Sequence, residues 1–176
     1  MMSLQIIQAK PNPAGKESGK DQDVFEARRP EALFGEWVDV KNVGDEMVNF
    51  QTMQLRHALF DEDCHSTGEL ELYWIGDNGD PLKPGQVLRI HGGRRDDAYL
   101  MAPEDQAGAD WHGYAESDSF ILNNRCGDKI VLSWQDSADQ IHQDWACYAP
   151  NPPEDLILKR TGNLLAGAGV AEENRR

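Results

Sequence analysis

No stretch of this sequence approaches the roughly 20 consecutive apolar residues that a membrane-spanning helix requires. The N-terminus, Met1 to Lys10, is too short and too polar to be the apolar centre of a signal peptide. Basic residues are scarce: 17 Lys and Arg stand against 31 Asp and Glu, a formal charge of −14. A surface of that sign repels phosphate backbones, which are held by clustered cations that release counterions, and repels anionic lipid for the same reason. The expectation is a chain that engages neither nucleic acid nor membrane. Cysteine is sparse and odd in number. Cys64, Cys126 and Cys147 show no short paired spacing, which argues against a zinc ribbon or a disulfide framework and favours a reduced, cytoplasmic setting. One pairing stays open: if the strands flanking the Gln135 to Gln140 connection pair directly, Cys126 and Cys147 come close across the hairpin. Long amphipathic helices are missing. So are a Gly-x-Ser-x-Gly elbow and a thiol-protease context around Ser66, Ser133 or Cys126, and no catalytic residue is assigned.

What is present fills one core. With 39% hydrophobic residues in 176, the chain can support a single compact domain and would starve two. Its strongest pattern is period-two alternation in short segments divided by Gly, Pro, Asn and Asp, as in a sheet with one buried face. Leu4 to Ala9 opens the series and runs into a polar loop from Pro11 to Asp23. Glu36 to Asn42 puts Val38 and Val40 on one face and Asp39 and Lys41 on the other, then turns at Asn42-Val43-Gly44-Asp45. Met47 to Phe50 and Met53 to Arg56 continue it. In Glu69 to Trp74 the apolar set Leu70, Leu72 and Trp74 is expected to face the core. Pro84-Gly85-Gln86 turns into Val87 to His91, which closes at Gly92-Gly93. A polar excursion from Arg94 to Ser119 has no clear period. Lys129 to Trp134 and Gln140 to Tyr148 flank Asp136-Ser137-Ala138-Asp139 as a closing hairpin. About eight or nine strands result, the count of a two-sheet sandwich. Pro150, Pro152 and Pro153 end that sheet, so residues 1–149 form the expected domain and 150–176 a Pro-rich linker and tail. Helical turns are expected within Glu154 to Leu165, and disorder over the final ten or so residues.

Four blocks of residues resemble the lamin-tail domain, an immunoglobulin-like β-sandwich. Ile6 to Lys16, with Asn12-Pro13-Ala14-Gly15-Lys16, is similar to its opening strand and Gly-bearing loop. Glu36-Trp37-Val38-Asp39-Val40-Lys41-Asn42-Val43-Gly44 resembles its central strand and turn, and is the most specific block. Pro84 to Ile90 resembles its proline-glycine turn and next strand. Asn123-Asn124 with Gly127 to Leu132, then Asp136, resembles its closing hairpin. The chain departs at Thr52-Met53, where the family carries Gly-Trp, and at Ala138-Asp139, where it carries a turn glycine. The resemblance implies an all-β, immunoglobulin-like two-sheet sandwich that serves as a non-catalytic protein-binding or anchoring module. The protein partner is unknown, with a basic protein or a second copy as candidates, and the oligomeric state is open.

The remaining chemistry is thin. Asp61-Glu62-Asp63-Cys64-His65 and Asp77-Asn78-Gly79-Asp80 gather hard oxygens, so a calcium-binding module using Asp61, Asp63, Asp77 and Asp80 is the alternative. The spacing is not that of an EF-hand loop, and acidic turns form readily without metal, so no metal or cofactor site is assigned. Zinc at Cys64 and His65 would need His57, His91 or His112 to converge from other strands. A hydrolase built on Cys64 and His65 is the weakest reading. Gly92-Gly93-Arg94-Arg95 could form an anion site, but Asp96-Asp97 offsets its charge. Among Trp37, Trp74, Trp111, Trp134 and Trp145, Trp74 and Trp134 are expected inside, and Trp37 and Trp145 are candidates for an exposed binding patch beside acids.

Overall fold

The computed structural model describes residues 1, 3–16, 30–77 and 80–167. Residues 17–23 of the expected polar loop, Asn78 and Gly79 of the acidic turn, and the expected disordered end from 168 lie outside the described residues. The chain is all-β. Its strands are β1 (Leu4–Lys10), β2 (Trp37–Asn42), β3 (Gln54–Phe60), β4 (Ser66–Ile75), β5 (Val87–His91), β6 (Trp111–Tyr114), β7 (Asp128–Gln135), β8 (Ile141–Tyr148), β9 (Leu158–Thr161) and β10 (Leu164–Ala166). Two single-turn helices, α1 (Pro30–Leu33) and α2 (Pro103–Gln106), interrupt the connections.

One mixed sheet of ten strands runs in the order β4-β3-β7-β8-β10-β9-β1-β2-β5-β6. The ladder therefore continues where two separate sheets were expected. Its middle is thin, since β10 meets β8 only at Leu164 opposite Cys147, and β9 meets β1 only at Gln8 opposite Lys159 and Ala9 opposite Leu158. The two halves curl toward each other around a single core drawn from nine strands, with Ile6, Val38, Val40, Leu55, Ile90, Ile130, Leu132 and Leu165 at its centre. The far ends meet at Trp74 of β4 and Gly113 of β6. A Cβ on Gly113 would lie 2.9 Å from the Trp74 indole nitrogen, so this close approach requires glycine.

Asp144 stitches the halves together. Its carboxylate accepts from the backbone N–H of Ile6 at 2.8 Å and from the Arg160 guanidinium, which also donates to the Ile6 carbonyl at 2.9 Å. This places Arg160 of β9 between β8 and β1, and it corrects the expectation for the C-terminal segment. Residues 158–166 form a β-hairpin instead of helical turns: Gly162, at φ +62°, and Asn163 make a tight reversal, and each strand finds an open sheet edge. The sheet thus reaches past the boundary expected at residue 149.

The closing hairpin follows its expected register, Asp128 opposite Tyr148 through Gln135 opposite Ile141. Asp139 there adopts φ +59°, so an Asp supplies the left-handed residue that a glycine would otherwise provide. Met53 is fully buried.

In β4 the inward set differs from expectation. Leu55 pairs with Trp74 and Arg56 with Leu72, which leaves Tyr73 as an extra residue at a bulge. Tyr73 and Trp74 therefore both point inward, while Leu70 and Leu72 stand on the outer side at 44% and 46% exposure. A one-residue irregularity reverses every side chain beyond it.

Candidate functional site

The sheet has two outer surfaces, and they differ. Over β1, β2 and β5 the outward residues are Gln8, Lys10, Trp37, Asp39, Arg89 and His91, alternating with the core row. The Arg94 to Ser119 excursion, which showed no period, folds across them. Arg89 forms a fork to Asp39 at 2.7 and 2.9 Å, donates to the carbonyls of Asp105 and Ala107, and lies 3.8 Å over the Trp37 ring. Asp105, in α2, accepts from Lys10 at 2.9 Å and from the Trp37 indole at 3.0 Å. Asp39 and Trp37 are consequently buried, so Trp37 is not a surface indole. The excursion is a lid held by the buried Lys10–Asp105 pair and by hydrogen bonds from Trp37 and from Arg89, whose charge Asp39 balances.

Histidines complete the covered side. His91 Nδ1 donates to the Phe34 carbonyl at 2.8 Å, which leaves Nε2 to accept from His112 Nδ1 at 2.8 Å. Burial pushes the His91 pKa down to about 3, and the charge of Arg89 and neighbouring His112 work in the same direction. Burial and Arg89 lower His112 as well.

Two further carboxylates act as structural hubs inside the molecule. Glu36 accepts from Lys16 at 2.7 Å and from the backbone N–H groups of Ile121 and Leu122 at 3.0 Å each, tying the loop after β1 to the loop before β7. Asp128 accepts from the backbones of Ala58, Asn123 and Lys129 and holds His57 Nδ1 at 2.9 Å. Burial alone would lower the His57 pKa. The Asp128 hydrogen bond, with the charges of Asp128, Glu71 and Glu36, leaves it above its ordinary value.

Over β4, β3, β7 and β8 no segment among the described residues lies across the outer surface. Pairing sets its rows: Leu72, Arg56, Val131 and Trp145 stand side by side, Gln54, Ser133 and Gln143 form the next row, and Lys129 lies opposite Cys147. Leu70 and Leu72 join Ile75, Ile141 and Trp145, the last three at 53%, 68% and 42% exposure. Large apolar side chains scattered singly are ordinary, whereas several gathered on one flat face mark a contact surface. Lys129 sits 4.8 Å from the Trp145 ring centre. The indole expected beside acids is therefore beside a cation. Polar side chains shape a shallow recess of about 290 Å³ on this face, lined by Gln51, Gln54, Arg56, Ser133, Gln135 and Gln143 among others.

The acidic turns are engaged locally. Asp61 caps the β3–β4 loop, accepting from the backbone N–H groups of Asp63 and His65 at 2.9 Å each, and Asp77 pairs with Arg95. Asp61, Asp63, Asp77 and Asp80 do not converge, and no group of three ligating side chains occurs among the described residues. Arg94 is taken by Asp118, so the Gly92-Gly93-Arg94-Arg95 run forms no free anion site.

Cysteine pairing is a correction. Cys64 is bonded to Cys126 with a Cα separation of 5.1 Å, and Cys147 is free. Pairing of β3 with β7, His57 opposite Ile130, brings the β3–β4 loop beside the turn that precedes β7. Cys147 instead lies opposite Lys129, on the outer side of the hairpin. The bond also occupies the sulfur that a Cys64 nucleophile would need. The sequence missed Leu70, Leu72, Arg56 and Lys129 as residues of the same face as Trp145; only the acidic alternation of β4 hinted at a strand wet on more than one side. The chain matches no family model and no curated protein.

Proposed function

We propose that this chain is a non-catalytic protein-binding or assembly module, and that its working surface is the bare outer side of β4, β3, β7 and β8. The observation that carries this is the gathering of Leu70, Leu72, Ile75, Ile141 and Trp145 on one face that no described segment covers, while the matching face across the core is roofed by the protein's own chain. The finer reading of the fold is an immunoglobulin-like sandwich of the lamin-tail type. It is supported by the thin hydrogen-bonding between the halves and by the four blocks, which fall in β1 and its loop, β2 and its turn, the β5 entry, and the β7–β8 hairpin. The non-catalytic reading is supported by the buried His57–Asp128 pair, whose carboxylate is engaged by backbone N–H groups as a structural tie.

The test compares the wild-type chain with the double variant Leu72→Ser, Trp145→Ser as bait in native lysate, with quantitative mass spectrometry of what is retained. Selective partners should fall at least about tenfold on the variant, since central aromatic contacts carry about 2 kcal/mol or more. Identical retention by both baits would remove the bare face as the working surface. Light scattering of the wild-type chain tests self-association separately. The localisation reading links to redox state: in a cytosolic setting the Cys64–Cys126 bond would be reduced and three thiols would titrate, whereas in an oxidising compartment one would.

A further inference from the structure

Resting on that reading of the bare face, we infer that its occupant is an acidic, apolar-bearing segment of another protein. The chain carries 31 acidic residues, yet the outward positions of the four strands between Gln54 and Ala58, Leu70 and Ile75, Lys129 and Gln135, and Ile141 and Cys147 include neither Asp nor Glu. Alternation sends the acids of these strands elsewhere. Glu71 stands opposite His57, and Asp144 points inward to Arg160.

Two cations remain on the face. Arg56 and Lys129 occupy neighbouring rows of adjacent strands, since Arg56 is paired with Val131 and His57 with Ile130. Neither forms an ion pair among the described residues, whereas Arg89, Arg94, Arg95 and Arg160 all do. Diagonal neighbours on a sheet lie about 7–8 Å apart, so two cations with no acidic partner among the described residues repel each other there until an anion is placed between them. The surrounding Leu72 and Trp145 supply apolar contact area, which sets the partner as one with carboxylates and apolar side chains together.

Charge also selects among occupants. A two-fold pairing of this face with itself would oppose Arg56 and Lys129 to their own copies, which disfavours a symmetric dimer. Nucleic acid meets only two cations on a molecule of charge −14, too few to offset the repulsion by the rest. A short acidic protein segment, carrying far fewer charges than a nucleic acid, meets two cations and apolar side chains on a face whose outward positions carry no acid.

The experiment pans a random peptide display library against the wild-type chain, with Leu72→Ser, Trp145→Ser as counter-target, and reads the net charge of the enriched peptides. Enriched sequences should be apolar and net negative. Their affinity should fall at least tenfold on Arg56→Glu, Lys129→Glu and weaken with salt, while circular dichroism of that variant stays unchanged. Neutral or basic enriched peptides would overturn the acidic assignment and leave the docking face standing. No enrichment over the counter-target would overturn both. Single-stranded RNA bound more tightly than the best peptide, or self-association abolished by the same charge reversal, would overturn the inference by naming a different occupant.

Discussion

The two outer sides of the sheet show how one strand pattern can serve opposite ends. On the β1-β2-β5 side the alternate positions are Trp37, Asp39, Arg89 and His91; an Arg89–Asp39 pair is buried within the face, and α2 is held over it by the Lys10–Asp105 pair and by hydrogen bonds from Trp37 and Arg89. On the β4-β3-β7-β8 side they are Leu72, Arg56, Val131 and Trp145, and no described segment lies across this row, in which Val131 is the buried member. The first side contains opposed charges that neutralise each other and can therefore be buried. Among the described residues the second contains cations without acids and apolar groups without a lid, which is the ground for proposing that its complement comes from outside.

That contrast can be broken most forcefully on the covered side. Asp39→Ala leaves the Arg89 guanidinium buried without its carboxylate, and should cost roughly 3–5 kcal/mol in urea or thermal unfolding. A loss under 1 kcal/mol would mean that the lid opens readily and the two sides are alike. The bare side is fastened covalently instead. Cys126→Ser opens a bridge spanning 62 residues and should cost roughly 2–4 kcal/mol, measured the same way under non-reducing conditions.

Acid separates the two sides next. A histidine with a depressed folded pKa takes up its proton only on unfolding, so His91 removes stability as pH falls from about 6.5 toward 3. The slope is up to about 1.4 kcal/mol per pH unit, and His91→Gln should flatten it in a series of unfolding curves. His57 acts oppositely: its raised pKa adds stability at low pH that is lost as pH rises through the folded value. The smallest effect belongs to the bare face, where Leu72→Ser should change stability by only about 0.5 kcal/mol. A loss of 2 kcal/mol or more there would show a core position and end the contrast.

Much of the sheet was legible in the sequence because alternation reports which side chains share a face. The β2 turn, the β5 entry and the β7–β8 hairpin all fall where the spacing put them. Alternation cannot report what lies on the far side of a face, and this is why Asp39 and Trp37 read as surface residues until α2 is seen above them. The phase of β4 failed for a different reason: the bulge at Tyr73 depends on pairing with β3, a contact between distant parts of the chain that no local window contains. The Cys64–Cys126 bond was hidden likewise, because β3 meets β7 only in three dimensions. In β9–β10, Pro152 and Pro153 favoured a helix start, whereas two vacant sheet edges decided for strands.

The β9–β10 hairpin has a consequence for biosynthesis. It occupies the gap between β8 and β1, with Arg160 reaching Asp144 on one side and the Ile6 carbonyl on the other. On the ribosome, the two groups of strands it joins emerge well before it, so the nascent chain must carry an unsealed seam until residue 166 has cleared the exit tunnel.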